Sequence, residues 1–481
     1  MALHRVGSQY ADARSGIVHL GLGAFHRAHQ AVYVERNLAR HGGGDWGIIS
    51  ANIRSNRRLV ELMRQRDRRY HVAEYADRAH VTLREIGAIR ETLYAGPDGA
   101  DLEALLARMS EPGVRIVTLT VTEKGYHLSP ADGRLLVDAP PIAHDIAEPA
   151  IPHSAPGMLV EALARRRAAG TPAFTVLSCD NIPDNGRRVR RAVIELARHR
   201  DEGLAEWIAE HVAFPCSMVD RIVPAMTDDD VARLAALGAD DPAAVVCEAF
   251  SQWVIEDDFP QGRPDWEHDG VQMVADVAPF EAMKLRLLNG SHSLLAYLGA
   301  LAGIETVSEA VGRHQFVGLL HRYMGEEAAP TLTLPAGTDL DAYAANLLAR
   351  FANDSLHHRL QQIAMDGSQK LHQRWLAGAR ARIDAGGDVA CTALGVAAWI
   401  RYTAGNNLAG ESHPVNDPMA ETFAALHEAH QEPAALVAAF LALDAIVPRE
   451  LAGNTRFSGA VLDAYRALNE SGVEAAIRRL G

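Results

Sequence analysis

Ile17-Val18-His19-Leu20-Gly21-Leu22-Gly23-Ala24-Phe25-His26-Arg27-Ala28-His29 is the stretch that decides the fold. A short apolar run enters two glycines one residue apart, and a periodic segment over residues 28–39 follows. That order predicts a strand, a tight turn and a helix. The first glycine permits the turn. The second lets backbone approach a pyrophosphate at a helix N-terminus. His26 stands where a third glycine would complete a dinucleotide-binding pattern. Gly21, Gly23, Phe25, His26 and Arg27 form the first candidate cofactor-binding set, with His26, Arg27 and His29 bringing polar or positive groups to a phosphate. His26 and His29 also form a His-x-x-His pair of a zinc-ligating kind, but no third and fourth ligand stands out by spacing.

The pattern continues outward. Residues 46–52 read as a second strand at the usual βαβ distance, and residues 114–121 and 173–178 as buried parallel strands. Helical periodicity lies between them, over 101–109 and 159–168. Strands alternating with helices predict an α/β, Rossmann-like doubly wound domain over residues 1–275. Beyond that point Leu, Ala, Arg and Glu dominate and strand-like runs nearly vanish, so residues 276–481 are expected to form a mostly helical substrate and catalytic domain. A long helical pattern is read over residues 350–365.

Cofactor choice is read after the second strand, where an acid would bind a ribose 2′-hydroxyl. The segment is Asn52-Ile53-Arg54-Ser55-Asn56-Arg57-Arg58, with no acid. Arg54 and Arg57 are candidates for a 2′-phosphate or a plain solvated surface, so NAD and NADP both stay open. The loop Cys179-Asp180-Asn181-Ile182-Pro183-Asp184-Asn185-Gly186 follows a strand at its carboxyl end, where such domains place ligands. Turn chemistry explains residues 183–186; Asp180 and Asn181 are less well explained by it.

Lys284-Leu285-Arg286-Leu287-Leu288-Asn289-Gly290-Ser291-His292 puts a potential base, an amide and an imidazole into an apolar segment. A helix is expected to start near Glu281. On it Lys284 and His292 lie about two turns apart on one face. Asn289 falls about 140° round from Lys284, so the three converge only if the helix bends or ends near Asn289. Further on, Lys370 and Arg374 are spaced to share a helical face as a basic clamp, or to begin a solvated helix.

The chain has 481 residues, 48% hydrophobic and 22% charged, which suits an ordinary soluble protein of two or three domains. A net charge of −14 argues against nucleic-acid binding. The apolar stretches are too short to span a bilayer, and the N-terminus lacks a signal-peptide core. The four cysteines form no CxxC pair and read as small buried hydrophobes. A cytoplasmic enzyme without metal is expected.

Six blocks in register closely resemble the mannitol dehydrogenase family of long-chain, metal-independent polyol dehydrogenases. They are residues 21–30, 178–186, 217–222, 253–257, 284–292 and 366–370, and they run in order over almost the whole chain. The resemblance implies a general base at Lys284 and two oxyanion-holding amides at Asn181 and Asn289. It implies substrate positioning by His292, gated proton exchange at Glu281, and binding of distal substrate hydroxyls by Asp220 and Lys370. Where mannitol-type members carry an arginine eight positions before Lys370, this chain has Gln362. That departure, with Thr122-Glu123-Lys124-Gly125-Tyr126 and Lys370-Leu371-His372-Gln373-Arg374, looks more like the fructuronate reductase branch. His372 replaces the proline usual there. The implied reaction is NAD(P)-dependent reduction of D-fructuronate to D-mannonate, with Lys370, Arg374 and Arg359 around a carboxylate. The alternative is a neutral polyol such as mannitol, arabinitol or sorbitol. A monomer or homodimer is expected.

Overall fold

The computed structural model describes residues 2–10, 12–96, 99–129, 132–335 and 337–480. The chain divides into two compact units, Met1–Ala278 and Pro279–Gly481.

The first unit carries the strands β1 (Ala2–Val6), β2 (Asp12–Leu20), β3 (Gly43–Asn52), β4 (Tyr70–Tyr75), β5 (His80–Ile86), β6 (Ile89–Tyr94), β7 (Ile116–Leu119), β8 (Thr175–Ser178), β9 (Ser217–Asp220), β10 (Val245–Glu248), β11 (Gln252–Glu256) and β12 (Gln272–Val274). Five of them form a parallel sheet in the order β6-β3-β2-β7-β8. This is a Rossmann-like doubly wound sheet. Every residue of β7 and β8 is buried, as a parallel strand covered on both faces requires. The strand order reverses between β2 and β7, and ligands of such sheets bind outside the carboxyl ends at that reversal.

Two smaller sheets were not foreseen: β1-β5-β4-β10 and β12-β11-β9, both mixed in direction. Glu74 on β4 joins Arg221, just past β9, in a buried ion pair at 2.8 Å. Arg221 also donates to the carbonyls of Glu248 and Ala28. It thereby fastens the end of the short helix Ala24–Ala28, which follows the glycine turn.

The second unit is helical, with no strand among the described residues. Helix Ala390–Tyr402 is buried on nearly all sides, so it is apolar all round rather than striped. Its Trp399 meets Phe423 and Phe440 edge-on, each with centroids 5.5 Å apart. The continuous helix read over residues 350–365 is corrected. Helix Leu340–Phe351 ends, His357 turns to φ +45°, and the main chain of Arg359 bridges to Thr306 before helix Leu360–Ala364 begins. Asn353 is the cause: its side chain accepts from the backbone N–H of Ser355 at 3.1 Å, a local bond that competes with helix. Among the described residues no helix is long and apolar enough to cross a membrane.

Candidate active site

Lys284 opens a π-helical segment, Lys284–Asn289, between α-helices Ala278–Met283 and Gly290–Leu301. Pairing from i to i+5 sets residues five apart over one another. Lys284 and Asn289 are five apart, so the wide turn removes the offset that an α-helix would impose. His292 follows three residues later in α-helical geometry and keeps the same face. The three residues are thus brought toward one face without the helix ending.

All three are buried: Lys284 and Asn289 are each 5% exposed and His292 7%. Two polar atoms in the group, Asn289 Nδ2 and His292 Nε2, are buried without a hydrogen-bond partner among the described residues. Buried polar atoms of this kind are rare and suit groups that a substrate completes. The His292 ring lies 4.5 Å from Phe351 and 5.3 Å from His358. Burial first, then His358, Arg374, Arg350 and Lys284, hold its pKa well below the usual imidazole value. His292 is therefore neutral at ordinary pH, able to accept or donate one hydrogen bond without adding charge.

The basic clamp reaches the same place. Arg374 donates to Ser293, the neighbour of His292, at 2.8 Å. Lys370 donates to the Met365 carbonyl at 2.7 Å, and burial followed by Arg374 pushes its pKa down to about 8. Arg359 is exposed, and its main chain is taken up by the Thr306 bridge. In its stead Arg350 and His358 act on His292. Sequence reasoning missed both, because the break after Phe351 that sets His358 beside His292 has no periodic signal. Glu281 is half-buried one turn before Lys284, and Gln362 is exposed.

In the first unit the glycine turn sits at the sheet reversal. Gly21 has φ +114°, and an added Cβ there would collide with the Thr120 carbonyl after β7. A Cβ on Gly23 would meet only the Gly21 carbonyl at 3.7 Å, so the approach to that backbone is open. This open cradle at the head of a helix fits a dinucleotide pyrophosphate. Beneath it His19 donates from Nε2 to the Gly21 carbonyl at 2.9 Å and accepts at Nδ1 from Thr118 at 2.8 Å. Burial lowers its pKa to about 3, so it stays neutral and keeps this donor. Gly21→Ala is expected to destabilise the protein by about 1–3 kcal/mol through backbone strain alone. An unchanged denaturation midpoint for that variant would contradict the strained turn.

The expected phosphate role of His26 and Arg27 is corrected. His26 is fully buried, stacked on His19 with centroids 3.5 Å apart and bonded to Gln30. Arg27 is buried beside Tyr70 and donates to the carbonyls of Gly23 and Ala243. Both face the interior because the helix carrying them turns that side to the sheet. His29 is buried too, bonded to the Gln252 carbonyl. Phe25 is half-buried, its ring stacked on His29. Arg54 and Arg57 are exposed beyond β3, with Arg57 paired to Glu61 at 3.1 Å.

After β8, Asp180 is buried. It accepts from the backbone N–H groups of Val121 and Thr122, at 3.1 and 2.8 Å, and from Tyr126. Burial raises its pKa. These bonds hold Thr122 at φ +66° and set the loop on which Asn181 is exposed. Asp220 is buried at the end of β9.

A family model for the mannitol dehydrogenase Rossmann domain matches residues 15–268, and one for the mannitol dehydrogenase C-terminal domain matches residues 276–469. The chain is 48% identical over 474 residues to D-mannonate oxidoreductase of Escherichia coli (strain K12), covering 98% of this chain and 96% of that protein. It is 38% identical over 474 residues to mannitol 2-dehydrogenase of Phaeosphaeria nodorum, covering 98% of this chain and 82% of that protein. The solved Pseudomonas fluorescens mannitol 2-dehydrogenase, a ternary complex with NAD and D-mannitol, superposes with a TM-score of 0.89 at 37% identity, covering 99% of this chain and 96% of that one.

Proposed function

This chain belongs to the mannitol dehydrogenase family and is an oxidoreductase of the CH–OH group, and from that premise we propose that it reduces D-fructuronate to D-mannonate, reversibly, with NAD(H). The observation that supports this chemistry is the π turn over Lys284–Asn289, with Lys284, Asn289 and His292 all buried. Lys284 takes or returns the proton of the reacting hydroxyl. The Asn289 amide, whose Nδ2 lacks a partner among the described residues, donates to the oxygen as negative charge develops there. Asn181 is read as the second amide. Neutral His292 orients the substrate hydroxyl, and Glu281 exchanges the proton with solvent. Asp220 and Lys370 are read as binding distal substrate hydroxyls. The nicotinamide, when bound, supplies hydride chemistry, and the backbone of Gly21 and Gly23 would hold its pyrophosphate.

The sugar-acid reading is supported by the likeness to D-mannonate oxidoreductase and by Arg374, held by Ser293 next to His292. A planar guanidinium grips a carboxylate through paired bonds. The likeness to mannitol 2-dehydrogenases favours the second reading, a neutral polyol.

Cofactor absorbance with NADH or NADPH, each against fructuronate and fructose, separates the two. The arms with NADPH are needed because Arg54 and Arg57 lie exposed beyond β3. Oxidation of cofactor by fructuronate is expected; preference for fructose sinks the sugar-acid reading. Arg374→Ala is expected to raise the fructuronate KM by about 10- to 100-fold, the worth of one or two charged hydrogen bonds. Its fructose KM should change little. With Lys370 titrating at about 8, its ammonium is present below that pH and lost above it. The fructuronate KM should therefore climb as pH passes through that value.

A further inference from the structure

Among the described residues three segments of the second unit are π-helical: Lys284–Asn289, Tyr323–Ala328 and His372–Leu376. A π turn is rarer and looser than an α turn, so its persistence calls for outside partners. Tyr323 supplies them. Its ring is 2% exposed, and its hydroxyl donates to the Arg286 carbonyl at 2.8 Å, with the Arg374 carbonyl 3.3 Å away. Arg286 lies inside the segment that carries Lys284 and Asn289, and Arg374 inside the third segment.

Other bonds tie the same parts. Trp375 Nε1 donates to the Gly290 carbonyl at 3.0 Å, and the Arg286 guanidinium donates to Thr331 Oγ1 at 2.7 Å. The segment bearing Tyr323 is anchored in turn. Its Glu327 accepts from the backbone N–H of Cys391 at 2.6 Å and of Thr392 at 2.9 Å, capping the central helix Ala390–Tyr402. Gly290 completes the fit, because a Cβ there would collide with the Tyr323 hydroxyl.

We propose that Tyr323 is a positioning residue for the reaction: its hydroxyl sets the phase of the turn bearing Lys284 and Asn289 against the turn bearing Arg374. Without that bond the Lys284–Asn289 turn can relax toward α-helical pairing. Relaxation would swing Asn289 away from Lys284. The inference rests on the roles given above to Lys284, Asn289 and Arg374. Burial raises the Tyr323 pKa far above the ordinary phenol value, so the donor persists at every pH at which the protein is assayed.

The test compares the parent enzyme with Tyr323→Phe, Gly290→Ala and Lys284→Ala, using fructuronate and NADH at a temperature well below each melting point. Tyr323→Phe removes one oxygen and keeps the ring. Gly290→Ala keeps the phenol and pushes it off its partners, so it carries the test should the first variant fail to fold. Both are expected to lower kcat about 10- to 100-fold, the scale of a displacement of about 1 Å at a reacting group. The NADH dissociation constant, read by fluorescence titration, should stay that of the parent, since the glycine turn belongs to the other unit. A folding-only role predicts a lower melting temperature with an unchanged kcat, and that result for either variant overturns the inference. Lys284→Ala separates the two layers. If it is inactive while Tyr323→Phe turns over like the parent, the inference alone fails. If Lys284→Ala is fully active, the underlying mechanism fails and the inference with it.

Discussion

Replacing Lys284 by alanine is expected to lower kcat by roughly 10²- to 10⁴-fold, the usual worth of a positioned acid or base. NADH binding should survive, because the glycine turn at Gly21 and Gly23 lies in the first unit and Lys284 in the second. Truncation also opens a small gap in a buried segment, so Lys284→Met is the better-filled companion. Both variants should lose turnover alike if the amine is what matters. A methionine variant with normal kcat would remove Lys284 from the chemistry. A variant that lost turnover together with cofactor affinity would point to general unfolding, which a melting curve detects.

The second large effect is structural. Glu74→Ala is expected to destabilise the protein by about 3–5 kcal/mol, because it strands the Arg221 guanidinium in the interior. The side chain of Arg221 is 0% exposed. Burial opposes the charge on Glu74, but Arg221, Arg84 and Arg36 outweigh it and hold the carboxyl below its usual pKa. A carboxyl depressed in the folded state stabilises above its unfolded pKa, and that stabilisation is lost as pH falls through the folded value. The parent should therefore lose stability in acid more steeply than Glu74→Ala does. Replacing both partners by methionine is expected to cost less than removing Glu74 alone. A single variant as stable as the parent in urea would show that Arg221 finds other support.

Much of this was legible. The later parts of β2 and β3, with β7 and β8, could be read because a strand segment covered on both faces is mostly apolar. The Gly21 turn could be read because only glycine suits its φ. The strands β4, β5 and β10 could not. They are short, mixed in direction, and interrupted by charges such as Glu74 and Arg84 that find partners only in three dimensions. At the site, the need for Lys284, Asn289 and His292 to converge could be seen, but the device could not. A π turn has no composition of its own, and its supports, Tyr323 and Trp375, are far away in sequence. His26 and Arg27 misled for a related reason. Polar residues beside a glycine turn suggest a ligand, and nothing local shows that they bond instead to Gln30 and the Ala243 carbonyl.

The wide turn from Lys284 to Asn289 also has a meaning for how this chain can change. A π turn holds one residue more than the α turn it interrupts. Deleting a single residue, Leu285 for example, would let residues 278–301 close into one regular helix. That helix would be the more comfortable one for its backbone, and everything after the deletion would keep its packing. Lys284, Asn289 and His292 would then stand at i, i+4 and i+7, still on one face of that helix. A gap of one residue here would thus mark a descendant that has lost the wide turn while keeping the fold and the face these three side chains share.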